Sequence, residues 1–182
     1  MKTIAQLLTN NINITEINYD FNAYKRNYKN YFKNKNEELK VRYNNLHDII
    51  NILNKHNIEH WLQGKTLLGI SIFNQLLVND SDEDIGLDHI HIVKICKFVI
   101  PELEKIGFKV IRATKKNSMV SVMRNNRYLD FCFFRTKNKE YYYENKKFPK
   151  LFYSKIINLN INGFTYNVPE RYKDICKFSY NI

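Results

Sequence analysis

The sequence predicts a mixed α/β chain of the α+β kind: one mixed sheet flanked by helices, preceded by a mainly helical N-terminal segment. Three observations predict it. Apolar residues first recur at spacings of three and four, then change at Ile58 to short strand-like runs. After Gly107 three apolar segments follow one another with only short polar breaks. Near the end, Asn162-Gly163 separates two alternating segments, a strong hairpin signal.

From Ala23 to about Asn57 the pattern is helical, with Leu39, Tyr43, Leu46, Ile50 and Leu53 on one stripe and Tyr24, Tyr28 and Tyr31 as an earlier turn of the same face. Residues 58–64, IEHWLQG, read as a short strand ending at Gly64. A helix follows, with Thr66 as its N-cap. The segment 78–88, VNDSDEDIGLD, reads as an extended strand. Residues 90–106 read as a helix capped by Asp88, with a kink or division at Pro101 and a stop at Gly107.

Strands FKVIRAT, SMVSVMR and RYLDFCFF come next, the last two joined by a turn at Asn125-Asn126. Tyr141-Tyr142-Tyr143 reads as a half-buried strand. The strands KIINLNI and FTYNV flank Asn162-Gly163, and a last helix is expected from Pro169 to Tyr180, with proline in its first turn. The 182 residues are expected to form a single domain, 1–57 being the helical segment and 58–182 the catalytic core.

Composition narrows the function classes. With 44% hydrophobic and 14% aromatic residues, the chain can bury a core, which excludes disorder. Cys96, Cys132 and Cys176 are too few and too scattered for a disulfide framework. Residues 1–10 lack the apolar core of a signal peptide, and no window reaches the ~18 apolar residues of a membrane span, so a soluble, cytoplasmic protein is expected. A formal charge of +11 favours anionic partners: nucleotides, polyphosphates, nucleic acid or acidic surfaces.

The most informative segment is Asp80-Ser81-Asp82-Glu83-Asp84. On a strand, residues two apart share a face, so Asp82 and Asp84 present paired carboxylates while Glu83 points the other way. Such a pair repels itself unless a cation neutralises it, and an all-oxygen set suits Mg²⁺ or Mn²⁺. Asp130 lies within the apolar run YLDFCFF, where a carboxylate is costly to bury unless it is paired or cation-bound. Asp82, Asp84 and Asp130 are thus the expected metal ligands and catalytic residues. Gly64-Lys65-Thr66 follows a strand and opens a helix, where free N–H groups and the helix dipole suit a phosphate. Arg112, Lys115, Arg124 and Arg127 are further candidates for phosphate contact.

His60-Trp61-Leu62, Thr66-Leu67-Leu68-Gly69, Asp82-Glu83-Asp84-Ile85-Gly86 and Leu129-Asp130-Phe131, with Val168-Pro169 and Tyr172 near the end, together resemble the LicD/fukutin phosphotransferase family of the nucleotidyltransferase superfamily. Lys65 stands where that family has Gly, Ile72 where it usually has Arg, and Asn79-Asp80 where it often has Pro-Trp. The resemblance implies a nucleotidyltransferase-like fold and a divalent-metal reaction. In that reaction a phospho-substituent such as phosphocholine or ribitol phosphate moves from a CDP-linked donor to a glycan hydroxyl, and CMP leaves. Two alternatives stay open: transfer of an NMP from an NTP to a small molecule, RNA or protein, and non-catalytic binding of nucleotide or nucleic acid.

Overall fold

A computed structural model of the chain describes residues 4–9, 34–113, 118–138 and 140–182. Helix α1 spans Ile4–Thr9 and α2 spans Lys35–Lys55. The expected helical turn at Tyr24, Tyr28 and Tyr31, and Lys115, lie outside the described residues. Helix α2 starts where Asn34 Oδ1 accepts the Asn36 N–H at 2.9 Å, an N-cap that satisfies an otherwise orphaned donor. Of its predicted stripe, Leu46, Ile50 and Leu53 are buried and Leu39 and Tyr43 half-buried, and Ile49 joins the buried face.

Strand β1 (Trp61–Gln63) leads into α3 (Gly64–Phe73), then β2 (Asp82–Asp88). Asp88 caps the next turn, its Oδ1 accepting the Ile90 N–H at 3.0 Å. A 3₁₀ turn (His89–His91), α4 (Ile92–Lys94), a π-helical segment (Ile95–Val99) and α5 (Ile100–Lys105) then run on without a break. Pro101 falls in the first turn of α5, where its missing N–H is least felt. The division predicted at proline is therefore a change of helix type just before it.

The sheet continues with β3 (Lys109–Ala113), β4 (Met119–Arg124), β5 (Arg127–Lys137), β6 (Glu140–Tyr143) and β7 (Lys146–Pro149). Its central order is β1-β2-β5-β4-β3, with β6 and β7 continuing from the far end of β5. Among the described residues only β2 and β5 pair in parallel; the other neighbours in this sheet are antiparallel. Strand β5 is the longest and is buried from Arg127 to Phe134, as its near-continuous apolar sequence requires. Both predicted Asn turns adopt left-handed backbone: φ is 53° and 54° at Asn125-Asn126, and 53° and 81° at Asn162-Gly163. The second joins β8 (Ile156–Ile161) to β9 (Phe164–Pro169), a separate two-stranded ribbon.

Several expected boundaries move: β1 begins at Trp61 rather than at residue 58, and β2 at Asp82 rather than at residue 78. Helix α3 begins at Gly64, two residues before Thr66, which frees the Thr66 hydroxyl for another partner. The last helix, α6, spans Tyr172–Tyr180, and Pro169 instead ends β9, pairing with Ile156. Strand β7 carried no alternating signal; its place follows from pairing with the tyrosine-rich β6.

Two buried ion pairs fix α2 to the sheet. Arg42 on α2 donates from Nε to Glu83 Oε1 at 2.6 Å, with both side chains 1% exposed, and from Nη1 to the Leu77 carbonyl at 2.9 Å. Arg127 pairs with Glu38 at 3.0 Å, again burying the guanidinium. Breaking either pair would strand a charge in the core.

Candidate active site

The parallel pairing of β2 with β5 sets the register Asp82↔Tyr128, Asp84↔Asp130 and Gly86↔Cys132. Because side chains alternate along each strand, Asp82 and Asp84 share a face, and Asp130 joins them from the neighbouring strand. Glu83 takes the opposite face, as predicted, and meets Arg42 there. One carboxylate oxygen from each of Asp82, Asp84 and Asp130 lies within 4.8 Å of the others. The three acids expected from two separate stretches of sequence are thus brought together.

Local bonds hold this cluster in place. The Asp84 N–H donates to Thr66 Oγ1 at 2.9 Å, joining the first turn of α3 to β2. Ser81 Oγ donates to Asp82 Oδ1 at 2.9 Å. The Ser121 hydroxyl makes a very short hydrogen bond to Asp130 Oδ1, while Arg112 donates to Asp130 Oδ2 at 2.6 Å. Cys132, two residues on from Asp130 and on its face, directs its thiol at Asp84 Oδ1 at 3.6 Å. Two close approaches require glycine. Gly64 has φ +63°, and a Cβ there would overlap Asp84 Oδ2. A Cβ on Gly86 would overlap the buried Trp61 indole.

The electrostatics follow from burial and like charge. Burial, then the charges of Asp82, Asp130 and Asp80, push the Asp84 carboxyl well above the usual carboxylate range. Burial raises Asp130 to about 6, against the opposing pull of Arg112 and Ser121. Two unit charges ~5 Å apart repel by roughly 3 kcal/mol at an effective dielectric of ~20. Three carboxylates this close therefore fit a hard divalent cation, whose preference is for oxygen ligands.

The acids form one side of a cleft of about 330 Å³ lined also by Gln63, Gly64 and Lys65. Gly64 and Lys65 therefore line the cleft with the acids, and Thr66 meets them only through the Asp84 N–H. The far wall takes Tyr143 from the tyrosine run and, not foreseen, Lys146 and Phe148 from β7 and Ser179 and Tyr180 from α6. These residues come from elements remote in sequence, and no local pattern links them to the acids. Cys132 carried a usable signal, since it follows Asp130 at strand spacing.

Of the arginines proposed for phosphate contact, Arg124 and Arg127 serve the scaffold instead. Arg124 bonds Asp48 at 2.6 Å and Asn45 at 2.9 Å, with its guanidinium carbon 4.3 Å from the centre of the Phe108 ring. Arg127 is buried against Glu38, and Arg112 is engaged by Asp130 and Ser121. A strand-end arginine reads the same in sequence whether it meets a substrate or a helix packed behind the sheet. No helix among the described residues is long and apolar enough to cross a membrane.

A family model described as LicD/FKTN/FKRP, nucleotidyltransferase domain, matches residues 57–171. The chain is 29% identical over 136 residues to an uncharacterised protein of Rickettsia typhi (strain ATCC VR-144 / Wilmington). That match covers 66% of this chain and 41% of the relative, so the chain spans about two-fifths of the relative's length. Among solved structures, the antibiotic-resistance factor ANT(2'')-Ia superposes with a TM-score of 0.54 at 12% identity, over 72% of this chain and 66% of that one. The lincosamide antibiotic adenylyltransferase LnuA, in its lincomycin-bound form, gives 0.52 at 18% identity, over 76% of this chain and 87% of that one. At these identities the likeness is one of fold: the curled mixed sheet with its helices is the nucleotidyltransferase fold.

Proposed function

This chain belongs to the LicD/FKTN/FKRP nucleotidyltransferase-domain family, and from that premise we propose that it is a metal-dependent transferase acting on a CDP-linked donor. The transferred group is a phospho-substituent of the phosphocholine or phospho-alditol class, and the acceptor is a glycan hydroxyl. One observation carries this reading: carboxylates from Asp82, Asp84 and Asp130 converge within 4.8 Å beside the start of α3.

In this reading Asp82, Asp84 and Asp130 hold Mg²⁺ or Mn²⁺. When bound, such an ion neutralises the donor diphosphate and the charge that develops on the leaving CMP. The residues of the chain do the rest. Gly64 and Lys65 offer backbone N–H groups and an ammonium to the diphosphate. Thr66 acts through Asp84, whose N–H it accepts at 2.9 Å. Asp130 serves in one of two ways: it completes the metal site, or it accepts the proton of the attacking hydroxyl. The hydroxyl oxygen forms the new bond to phosphorus, the phosphorus–oxygen bond to CMP breaks, and CMP departs with that electron pair. Tyr143, Phe148 and Tyr180 on the far wall offer aromatic surface to the base, with Lys146 beside them.

Transfer of an NMP from an NTP is the second reading, raised by the adenylyltransferase activity in the name of LnuA. The two readings separate by which half of the donor reaches the acceptor. Purified protein with Mg²⁺ would be given CDP-choline and CDP-ribitol labelled in the head group, and α-labelled CTP and ATP, over glycan acceptors. The proposal expects head-group label on the acceptor and free CMP. NMP on the acceptor would replace it with the second reading, and no turnover of any CDP-linked donor would defeat it.

A further inference from the structure

Asp80 stands two residues before the acid pair and outside strand β2, yet its side chain is almost as buried as Asp130: the two residues are 7% and 2% exposed. It lines the same cleft as Asp82 and Asp84. Its backbone N–H donates to the Leu77 carbonyl at 3.1 Å, which closes the loop ahead of β2 and turns the carboxylate toward the cleft. There Asp80 Oδ1 accepts from Lys65 Nζ at 3.4 Å.

The two halves of this pair differ in kind. The carboxylate is fixed, 8% exposed at its side chain, while the lysine side chain is 55% exposed. A contact of 3.4 Å is at the long end of hydrogen bonding, so it guides the ammonium without consuming its donors. An ammonium has three donors, and a phosphate is its natural partner as a point charge. The geometry therefore places a tethered, solvent-facing cation at the edge of an acidic floor.

We propose that Asp80 is a positioning residue that holds Lys65 over the acidic floor, and that this pair tunes affinity for the metal ion and for the diphosphate in opposite directions. The inference rests on reading Asp82, Asp84 and Asp130 as metal ligands in a cleft that takes a diphosphate. The negative charge of Asp80 adds to the field that draws a divalent cation, and the positive charge of Lys65 subtracts from it. For the diphosphate the signs reverse, with one exception. Removing the Asp80 charge by itself favours an anion, but it also releases Lys65 from its place.

Calorimetry with Mn²⁺ alone, and then with inorganic pyrophosphate in the presence of saturating Mn²⁺, tests this on the full chain without any turnover. Lys65→Met is expected to tighten Mn²⁺ about threefold and to weaken pyrophosphate about tenfold, with Lys65→Arg restoring the pyrophosphate affinity. Asp80→Asn is expected to weaken Mn²⁺ about threefold and pyrophosphate as well. That second loss runs against simple charge and is the signature of positioning. Tighter pyrophosphate binding in Asp80→Asn would overturn the proposal, as would unchanged pyrophosphate binding in Lys65→Met. Should Asp80→Asn not fold, the opposite shifts expected of exposed Lys65→Met decide the matter alone. Wild-type protein that binds no Mn²⁺ would overturn the metal-site reading itself, and the proposed role of Asp80 with it.

Discussion

Gly64 and Asp84 approach each other so closely that a single methyl group on Gly64 would overlap the Asp84 carboxylate. The helix that opens at Gly64 and the strand that carries Asp84 are therefore fitted by the absence of a side chain, with φ at Gly64 held at +63°. Gly64→Ala is expected to lose about 1–2 kcal/mol from the left-handed backbone, and in addition to displace Asp84. Its Mn²⁺ affinity should fall. Gly163→Ala is the control: φ there is +81° and an added Cβ would meet no atom beyond its chain neighbours within 4 Å, so it should lose stability and leave Mn²⁺ binding alone.

Asp84 is held in a state that disfavours its own charge, through burial and three neighbouring carboxylates. A carboxyl raised in the fold contributes stability below its unfolded value, and that contribution is lost as pH rises through the folded value. As pH rises above the ordinary carboxylate range, the metal-free wild type progressively loses it. Asp84→Asn is expected to raise the metal-free Tm at pH 7.5 by about 2–4 °C, or ~1 kcal/mol. The gain should shrink as pH falls and Asp84 takes up its proton. Differential scanning calorimetry at several pH values reads both effects.

Asp130 titrates at about 6 in the metal-free fold, above the ordinary 3.8. A divalent ion competes with that proton, so Mn²⁺ affinity should climb between about pH 5 and 7 and level off above it. Isothermal titration across that range checks the slope. A flat profile would place Asp130 outside the binding equilibrium.

On the opposite face of β2, Glu83 is raised by burial to about 7 and opposed by its contact with Arg42. Arg42→Met leaves that carboxylate buried alone and is expected to cost about 3–5 kcal/mol in urea unfolding. Arg42→Met/Glu83→Met should recover most of the loss, because the replacement pair is apolar and of similar bulk.

Much of the site was legible because strand periodicity fixes faces. Asp82 and Asp84 at spacing two and Asp130 inside YLDFCFF need only a shared strand neighbour to meet, and the parallel β2–β5 pairing supplies it. The Asn turns were legible for a similar reason, since few residues accept positive φ. Thr66 misled because N-cap chemistry and strand-bracing chemistry use the same hydroxyl, and here it accepts from Asp84. Pro169 misled because a proline suits a helix start and a strand end alike. Tyr180 and Lys146 reach the cleft through packing of α6 and the β6–β7 hairpin, long-range contacts that no local pattern encodes.

The convergence of three acids on one cation is most directly tested through Asp130, the member contributed by a separate strand. Mn²⁺ binding to wild type and to Asp130→Asn, followed by electron paramagnetic resonance at pH 7.5, isolates its share. Saturable binding by wild type and a loss of about tenfold or more in the variant is the expected result. Equal binding by the two proteins would contradict a metal centre shared by Asp82, Asp84 and Asp130.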